Sequence, residues 1–344
     1  RYGITYPYCN KGNIIKRLSF AASAFYNCLR KEQPTIIDTT CFICYLPAGL
    51  LSIMKSIPCV ITYHEVWIGR WIKMKGFITG ILGEIWEWLA IKFPWRRFIA
   101  VSQTTADSLS ARHISKHRLV VIPNGINKNI LMKNHNKSIV NGNVISCVGR
   151  LVTGKQIDVL LDAVSLAKRR GVLVYVKIVG EGPEYKKLRN KAENLGINDQ
   201  ISFLGRLAKN SDVYEVIRSS KVFCLPSEVE GFGITLLETM ALGVPFIASD
   251  IPVIREVTNG GTGGILCSPG DSVEFCDAII RLLNKPEYRK KLANEGRQLS
   301  KQYSWDILSK RMLNLYKDVL NETNLKSEST GHERSRRRRL RSVE

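Results

Sequence analysis

The chain has 344 residues, of which 44% are hydrophobic, and this is enough to build the cores of one large or two medium domains. Its formal net charge of +21 suits anionic partners such as nucleic acid, lipid or phosphorylated substrates. No helix-turn-helix, zinc or RNA-binding motif accompanies this charge, and the best apolar run, residues 41–54, is shorter than the roughly 20 residues of a membrane span, so we expect neither a specific nucleic-acid binder nor a transmembrane chain.

Short apolar runs alternate with helical patterns along the whole chain. This alternation is typical of α/β domains with parallel sheets. Strands are predicted in the first half at residues 35–38, 59–62, 98–101 and 119–122. In the second half they are predicted at residues 144–148, 172–179, 201–204, 222–225 and 244–248.

A polar stretch separates the two halves and an arginine run ends the chain. We predict a first domain at residues 1–133, a linker at 134–143 and a second domain at 144–303. An amphipathic closing helix is predicted at 304–322. The remaining residues, 323–344, contain the arginine run without apolar periodicity, which indicates a disordered basic tail.

The most informative segment is a glycine-rich turn that opens an apolar helix. Glu230 precedes the turn, Gly231 and Gly233 flank Phe232, and Glu238 follows about two turns into the helix. Such a turn exposes backbone N–H groups, and the helix dipole favours an anion there. Two carboxylates beside it can accept hydrogen bonds from hydroxyls, so we predict a phosphate ligand that carries sugar rings. A helix start with two solvated glutamates is the alternative.

The ends of two earlier predicted strands also carry residues that are suited to binding a phosphate. Arg150 and Lys155 follow the strand at 144–148, and both can neutralise a diphosphate as negative charge develops on a leaving group. Gly180 and Gly182 form a second strand-to-helix turn, which by itself is a weak signal. Surface basic residues with no role remain the alternative for the first pair.

The Glu-x7-Glu pattern from Glu230 to Glu238 resembles the retaining nucleotide-sugar glycosyltransferases of family four, and the resemblance runs from about residue 38 to 320. It implies the GT-B fold, in which two Rossmann-like doubly wound parallel-sheet domains face a cleft. It also implies that Glu230 contacts the donor sugar and that Glu238 binds the ribose hydroxyls. The turn between them would lie against the diphosphate and sugar, through Gly231, Phe232, Gly233, Ile234 and Thr235.

The resemblance extends to residues outside that motif. It implies that Arg150 and Lys155 hold the diphosphate, that Gly180 and Gly182 approach the donor, and that the backbone around Leu204 reads the base. His64, at a strand end in the first half, would lie near the sugar and the acceptor as a further catalytic residue, although a structural histidine is an equal alternative. The family's first strand and glycine-rich loop find no counterpart, so the first domain is expected to be incomplete at its start.

The implied reaction moves a sugar with retention from a UDP- or GDP-linked donor to an acceptor hydroxyl. The chain lacks an Asp-x-Asp motif, so we expect no metal, and no cofactor besides the donor substrate. Two rivals remain: a non-catalytic nucleotide-sugar-binding or scaffold protein, and a basic nucleic-acid binder. Nine cysteines, mostly in apolar runs, indicate free thiols and a cytoplasmic protein.

Aromatic and basic residues alternate between residues 67 and 97. Aromatic side chains with basic companions suit the surface of an anionic membrane, which would place the protein at the inner face of the membrane with a lipid-linked or membrane-surface glycan as acceptor. A packed helix pair is the competing interpretation. The residues concerned are Trp67, Trp71, Phe77, Trp86, Trp88, Phe93 and Trp95, with Arg70, Lys73, Lys75, Lys92, Arg96 and Arg97.

Overall fold

The computed structural model describes residues 14–30, 34–127 and 142–341, without the side chains of 14–15, 74–75 and 324–341. It divides into two compact units, residues 1–122 with 309–344 and residues 123–308. The boundary therefore falls at residue 123, before the predicted linker, most of which lies outside the described residues. No helix in the described ranges is both long and apolar enough to cross a bilayer.

The first unit contains a four-stranded parallel sheet whose strands follow one another in chain order. Its strands are β1 (Ile37–Thr39), β2 (Cys59–Tyr63), β3 (Arg97–Ala100) and β4 (Leu119–Val121). Its helices before residue 122 are α1 (Ile14–Arg30), α2 (Tyr45–Lys55), α3 (Trp71–Lys75), α4 (Phe77–Lys92) and α5 (Gln103–Ser110).

Both faces of this sheet are covered, as expected for parallel strands. On β2, the side chains of Ile61 and Tyr63 pack with Phe98 and the helices of one face. Val60, which points to the opposite face, packs instead with residues near the chain end that include Val319. All five residues of β2 are buried, which explains its continuous apolar sequence.

The second unit contains six parallel strands in the order β10-β9-β8-β5-β6-β7. They are β5 (Val144–Val148), β6 (Tyr175–Val179), β7 (Ile201–Phe203), β8 (Val222–Leu225), β9 (Phe246–Ser249) and β10 (Gly264–Cys267). The helices are α6 (Ile157–Arg169), α7 (Tyr185–Asn194), α8 (Asn210–Arg218), α9 (Ile234–Ala241), α10 (Pro252–Val257), α11 (Ser272–Asn284) and α12 (Pro286–Ser300). β5 and β8 match their predicted bounds, whereas β6 begins three residues later than predicted.

The edge strand β10 was not predicted, because it starts inside a run of glycines that indicates a loop. Gly264 lies opposite Phe246 in the sheet, and a Cβ atom there would lie 2.3 Å from the Phe246 ring. The strand therefore needs glycine at that position so that it can pack beside β9.

A last helix, α13 (Trp305–Arg341), begins in the second unit and continues in the first. Besides its apolar packing against β2, polar contacts of its described side chains tie it to the first sheet: Tyr316 donates to Asp38, Glu322 pairs with Arg97, and Arg311 Nη2 donates to the Val121 carbonyl at 2.8 Å. The helix continues beyond the predicted end at 322, so residues 323–341 differ from the predicted disordered tail. Arginine, lysine, glutamate and leucine are good helix formers, and no proline interrupts them.

Candidate functional site

The sheet of the second unit reverses its strand order between β5 and β8. The chain moves outward from β5 through β6 to β7, then returns to place β8 on the other side of β5. In an open parallel sheet, ligands bind outside the carboxyl ends of the strands at such a reversal. The turns after β5 and after β8, which carry the predicted site residues, meet at this point.

An ion pair joins these two turns. Lys155 Nζ, after β5, lies 2.5 Å from Glu230 Oε1, after β8, although the residues are 75 positions apart in sequence. Ser227 Oγ donates to the same carboxylate oxygen at 2.8 Å. Among the described residues no donor contacts Glu230 Oε2, so one oxygen of a largely buried carboxylate remains able to accept a hydrogen bond.

Glu238 has a different partner. The Tyr214 hydroxyl, from α8, donates to Glu238 Oε1 at 2.8 Å. Burial raises the pKa of the Glu238 carboxyl above its usual value, and this hydrogen bond partly opposes the rise. Glu238 accepts no other hydrogen bond from the described residues. Its second oxygen therefore also keeps its capacity to accept.

The helix between the two glutamates starts at a residue that must be glycine. Gly233 has a φ of +81°, and a Cβ atom there would lie 2.8 Å from Ile254 Cδ1. α9 begins at the next residue, Ile234. Phe232 is buried and packs edge-on against Tyr303 with ring centroids 6.0 Å apart. Phe232 therefore anchors the turn in the core, between half-buried Gly231 and buried Gly233.

Gly180 and Gly182 allow the turns after β5 and β6 to pack closely. A Cβ on Gly180 would lie 1.8 Å from the Gly149 carbonyl oxygen, and one on Gly182 would lie 2.1 Å from that of Leu151. The Gly180 N–H donates to the Gly205 carbonyl at 2.8 Å, which adds the turn after β7. These glycines thus have a packing role that sequence spacing did not show.

The remaining predicted donor residues lie after β5, after β7 and around the start of α9. Arg150 is exposed, and its side chain forms no hydrogen bond or ion pair with any described residue. Leu204 is exposed, with its N–H committed to the Ile178 carbonyl at 2.8 Å. Ile234 is exposed and Thr235 half-buried in the first turn of α9. Gly231 is half-buried beside Glu230.

His64 belongs to the first unit, where it directly follows β2. Its side chain is exposed, yet partial desolvation lowers the pKa of the imidazole below its usual 6.5. The strand-end position that the sequence predicts is therefore present. Its assignment to the reaction stays a prediction.

Two residues that support the glutamates were not predicted as site residues. Tyr214 lies 24 positions before Glu238 on another helix, and no local motif marks it. Ser227 lies only three residues before Glu230, and this short spacing is a signal from which a hydrogen bond between its hydroxyl and the carboxylate could have been predicted. Among the described residues, no group of three or more His, Cys, Asp or Glu could hold a metal ion.

Two family profiles match adjoining parts of the chain. The family described as glycosyltransferase family 4 matches residues 1–129, and the family described as glycosyl transferases group 1 matches residues 130–299. Together they span both units.

Several curated relatives share part of this sequence. The chain is 30% identical over 206 residues to an uncharacterised glycosyltransferase of Methanocaldococcus jannaschii, covering 59% of this chain and 55% of the relative. It is 32% identical over 204 residues to a phosphatidyl-myo-inositol mannosyltransferase of Mycobacterium leprae, covering 58% and 54%. The chain spans about half the length of the curated relatives it matches.

Solved structures share the fold at low sequence identity. Anabaena HepE in complex with UDP superposes with a TM-score of 0.73 at 20% identity, covering 87% of this chain and 82% of that one. Sucrose-phosphate synthase of Thermosynechococcus elongatus gives a TM-score of 0.76 at 20% identity, covering 93% and 82%. The two parallel-sheet units thus have the predicted GT-B fold, and with the two matching profiles they show that the chain belongs to the group 1 glycosyl transferases of glycosyltransferase family 4.

Proposed function

We propose that this chain transfers a sugar with retention from a nucleoside-diphosphate sugar to an acceptor hydroxyl. The observation that carries the proposal is the Lys155–Glu230 pair at the strand-order reversal, held by Ser227 beside the glycine-opened helix. Three groups meet at this pair of turns, and each matches a part of such a donor. The cation matches the diphosphate, the carboxylate oxygen that can still accept matches the sugar hydroxyls, and the helix N-terminus matches a phosphate.

Lys155 and Arg150 bind the diphosphate in this proposal. An ammonium group has three N–H donors, and Glu230 uses one of those on Lys155 in the structure described. The other two are available to phosphate oxygens. Arg150, exposed on the same turn, offers a planar guanidinium that can bind two oxygens at once. Both cations stabilise the negative charge that develops on the leaving diphosphate.

The two glutamates bind the two sugar rings. Glu238 accepts hydrogen bonds from the ribose hydroxyls through the oxygen that Tyr214 leaves available. Glu230 accepts from hydroxyls of the transferred sugar, while Lys155 and Ser227 hold its other oxygen in place. This rigid support keeps the carboxylate in one orientation as the sugar acquires positive charge in the transition state.

The transfer breaks the bond between the anomeric carbon and the phosphate oxygen and forms a bond from that carbon to the acceptor oxygen. The acceptor proton passes to the leaving phosphate, so no separate base is required and the new bond forms on the face that the phosphate leaves. Lys155 and Arg150 supply the charge stabilisation that a metal ion provides elsewhere, which supports a metal-independent reaction without a further cofactor.

The proposed donor is linked to UDP or GDP, and the proposed acceptor is a lipid-linked or membrane-surface glycan. Complexes of Anabaena HepE with UDP and with UDP-glucose support a uridine nucleotide. The name of the Mycobacterium leprae relative supports an acceptor attached to a lipid. All eight described cysteines are free thiols, which supports a cytoplasmic site of action.

A screen of UDP- and GDP-sugars for nucleotide release, in the presence and absence of lipid-linked and soluble glycans, tests the proposal. Glu230→Gln removes the site carboxylate, and Glu193→Gln, on the exposed side of α7, is the matched control. We expect release with one nucleotide class, lost in Glu230→Gln and retained in the control. Binding of a nucleotide sugar without release would favour the scaffold alternative, and absence of both would refute the proposal.

A further inference from the structure

We propose that one face of α4 docks on an anionic bilayer surface. We define the α4 outer face by the exposed apolar side chains Phe77, Ile78, Leu82, Ile85, Trp88 and Leu89. The exposed fractions reach 71% for Phe77, 76% for Ile78 and 61% for Leu82. A soluble surface helix ordinarily turns polar residues outward, so a helix that is apolar on both sides requires a second apolar environment.

These side chains form a continuous stripe. Ile78, Leu82, Ile85 and Leu89 follow one another at intervals of four, three and four residues, which places them on one face of a helix. The opposite face packs into the first unit through buried Gly80, Gly83 and Ala90 among others. The stripe is therefore a surface in its own right, and not the exposed margin of the core.

Of the two acidic residues of α4, Glu87 is turned away from this stripe, and Glu84 lies at its margin, one helical turn before Trp88. Glu87 is buried and accepts from the Trp67 N–H at 3.1 Å and from Trp71 Nε1 at 2.6 Å. Glu84 is half-buried and accepts from the Gly69 N–H at 2.7 Å. Of these two carboxylates, Glu84 alone borders the α4 outer face, and the Gly69 N–H occupies one of its oxygens.

Basic residues flank the stripe. Lys92, at the end of α4, lies over the Trp88 ring with its Nζ 5.7 Å from the ring centroid. Lys73, on the preceding helix, is exposed, and Arg70 is also exposed, with its Nη1 3.9 Å from Glu65 Oε1. Across residues 1–128 the sequence contains 17 basic and 6 acidic residues. Apolar side chains with cationic companions insert between lipid headgroups and pair with anionic phosphates, which identifies the occupant as an anionic bilayer.

The aromatic residues between 67 and 97 had two interpretations from sequence, a membrane surface and a packed helix pair, and each interpretation fits some of them. Trp71, Trp86 and Trp95 donate their indole N–H groups to protein acceptors and belong to the fold, as a packed helix pair requires. Phe77 and Trp88 belong to the α4 outer face. Arg97, one of the predicted basic companions, pairs with Glu322 and is not part of the docking surface.

Neighbouring helices extend the apolar area. α2 packs against α4 and exposes Leu50, Ile53 and Met54, and α3 exposes Ile72. No described helix crosses the bilayer, so the mode of binding is insertion of one face into the headgroup region. The surface is defined without reference to the second unit, so vesicle binding and nucleotide binding can be tested separately.

The test is flotation of the full chain with vesicles of phosphatidylcholine alone and of phosphatidylcholine mixed with phosphatidylglycerol. Because the arginine run near the chain end could itself bind anionic lipid, all proteins carry Arg336→Gln, Arg337→Gln, Arg338→Gln and Arg339→Gln. We expect binding to the mixed vesicles that exceeds binding to the neutral ones and weakens as salt rises.

Paired variants assign the binding to the face. Ile78→Glu with Leu82→Glu should weaken partitioning at least about tenfold, since two inserted apolar side chains become charged. The matched control is Leu173→Glu with Leu313→Glu, which changes two exposed leucines outside α4 and should bind as the parent does. Vesicle addition should also shift the Trp88 emission to the blue, and Trp88→Phe should remove that shift without preventing flotation.

Three results would overturn the proposal. The first is a parent protein that fails to float with mixed vesicles. The second is an Ile78→Glu, Leu82→Glu variant that binds as tightly as the control. The third is a parent that sediments as a dimer and this variant as a monomer, because a second copy of the chain would then cover the face. Unchanged circular dichroism and UDP affinity in the variant establish that it is folded.

Discussion

Two buried or half-buried glutamates, one in each unit, show how a structural carboxylate differs from one prepared for a ligand. Burial raises the pKa of both Glu87 and Glu238. Glu87 uses its two oxygens for two protein donors, the Trp67 N–H and Trp71 Nε1. Glu238 has a single described partner, the Tyr214 hydroxyl. The half-buried Glu238 carboxylate therefore has an oxygen that can accept from another donor, and we propose that this donor is a nucleotide ribose.

The two sheets differ in a corresponding way. The four described strands of the first sheet follow chain order and show no reversal. The second sheet reverses between β5 and β8, where Lys155 meets Glu230. The comparison leads us to propose that the position of a carboxylate relative to the reversal, together with its unused oxygens, distinguishes function from packing better than its burial does.

The largest expected effect is on folding and comes from Glu87→Ala. This change removes the carboxylate acceptor of two half-buried N–H donors and should lower the free energy of unfolding by about 3 kcal/mol. Urea unfolding measures it, and UDP affinity of the folded variant should match wild type. A stability change within error would show that water or another side chain replaces the carboxylate.

Glu230→Ala should lower kcat by about a hundredfold, because contacts to the reacting sugar tighten as its bond to phosphate breaks. UDP affinity should change little, since we propose that this carboxylate binds the sugar and not the nucleotide. Steady-state kinetics and nucleotide titration separate the two quantities. An unchanged kcat would place Glu230 with Glu87 among the structural carboxylates.

Lys155→Ala or Arg150→Ala should each lower kcat/KM at least about tenfold, which corresponds to roughly 1.4 kcal/mol of transition-state stabilisation. The double variant should lose less than the sum, because both cations act on one diphosphate. Arg189→Ala, an exposed arginine on α7, is the control and should retain wild-type values. Wild-type activity in Arg150→Ala would make that residue an ordinary surface arginine.

Tyr214→Phe should have the smallest effect, weakening nucleotide binding a few-fold, or about 1 kcal/mol. The pH dependence of nucleotide affinity in this variant is a more specific test than the size of the loss. The Tyr214 hydrogen bond lowers the pKa of Glu238 against the rise caused by burial, so its loss raises that pKa further. Ribose binding favours the ionised carboxylate, so affinity is present above this pKa and lost as pH falls through it. Titrations across pH should show the loss beginning at higher pH in the variant, and identical profiles would disconnect Tyr214 from the site.

Local sequence predicted the strands that carry the site and its turn residues, because those features depend on neighbours in the chain. β5 and β8 have their predicted bounds, and Gly233 adopts the conformation that a glycine-opened helix indicates. Partnerships across the fold were not predictable in this way. Lys155 and Glu230 meet from turns 75 residues apart, and Tyr214 reaches Glu238 from another helix. Only the order of strands in the sheet brings these residues together.

The α4 helix is a second case in which the sequence predicted an element but not its contacts. Its apolar residues are spread around most of the circumference, which predicts burial but not which face is covered by protein. The three-dimensional packing decides the matter, because the described residues bury Gly80, Gly83, Glu87 and Ala90 and leave the α4 outer face exposed.

The measurement that tests the central claim most directly is calorimetric titration of UDP and of GDP into wild type, Glu238→Gln and the exposed control Glu193→Gln. The account predicts saturable binding of one nucleotide to wild type and to the control. In Glu238→Gln the affinity should fall at least about tenfold, because a charged acceptor of the ribose hydroxyls is lost. Equal affinity in Glu238→Gln and wild type, or no binding of either nucleotide to wild type, would contradict it.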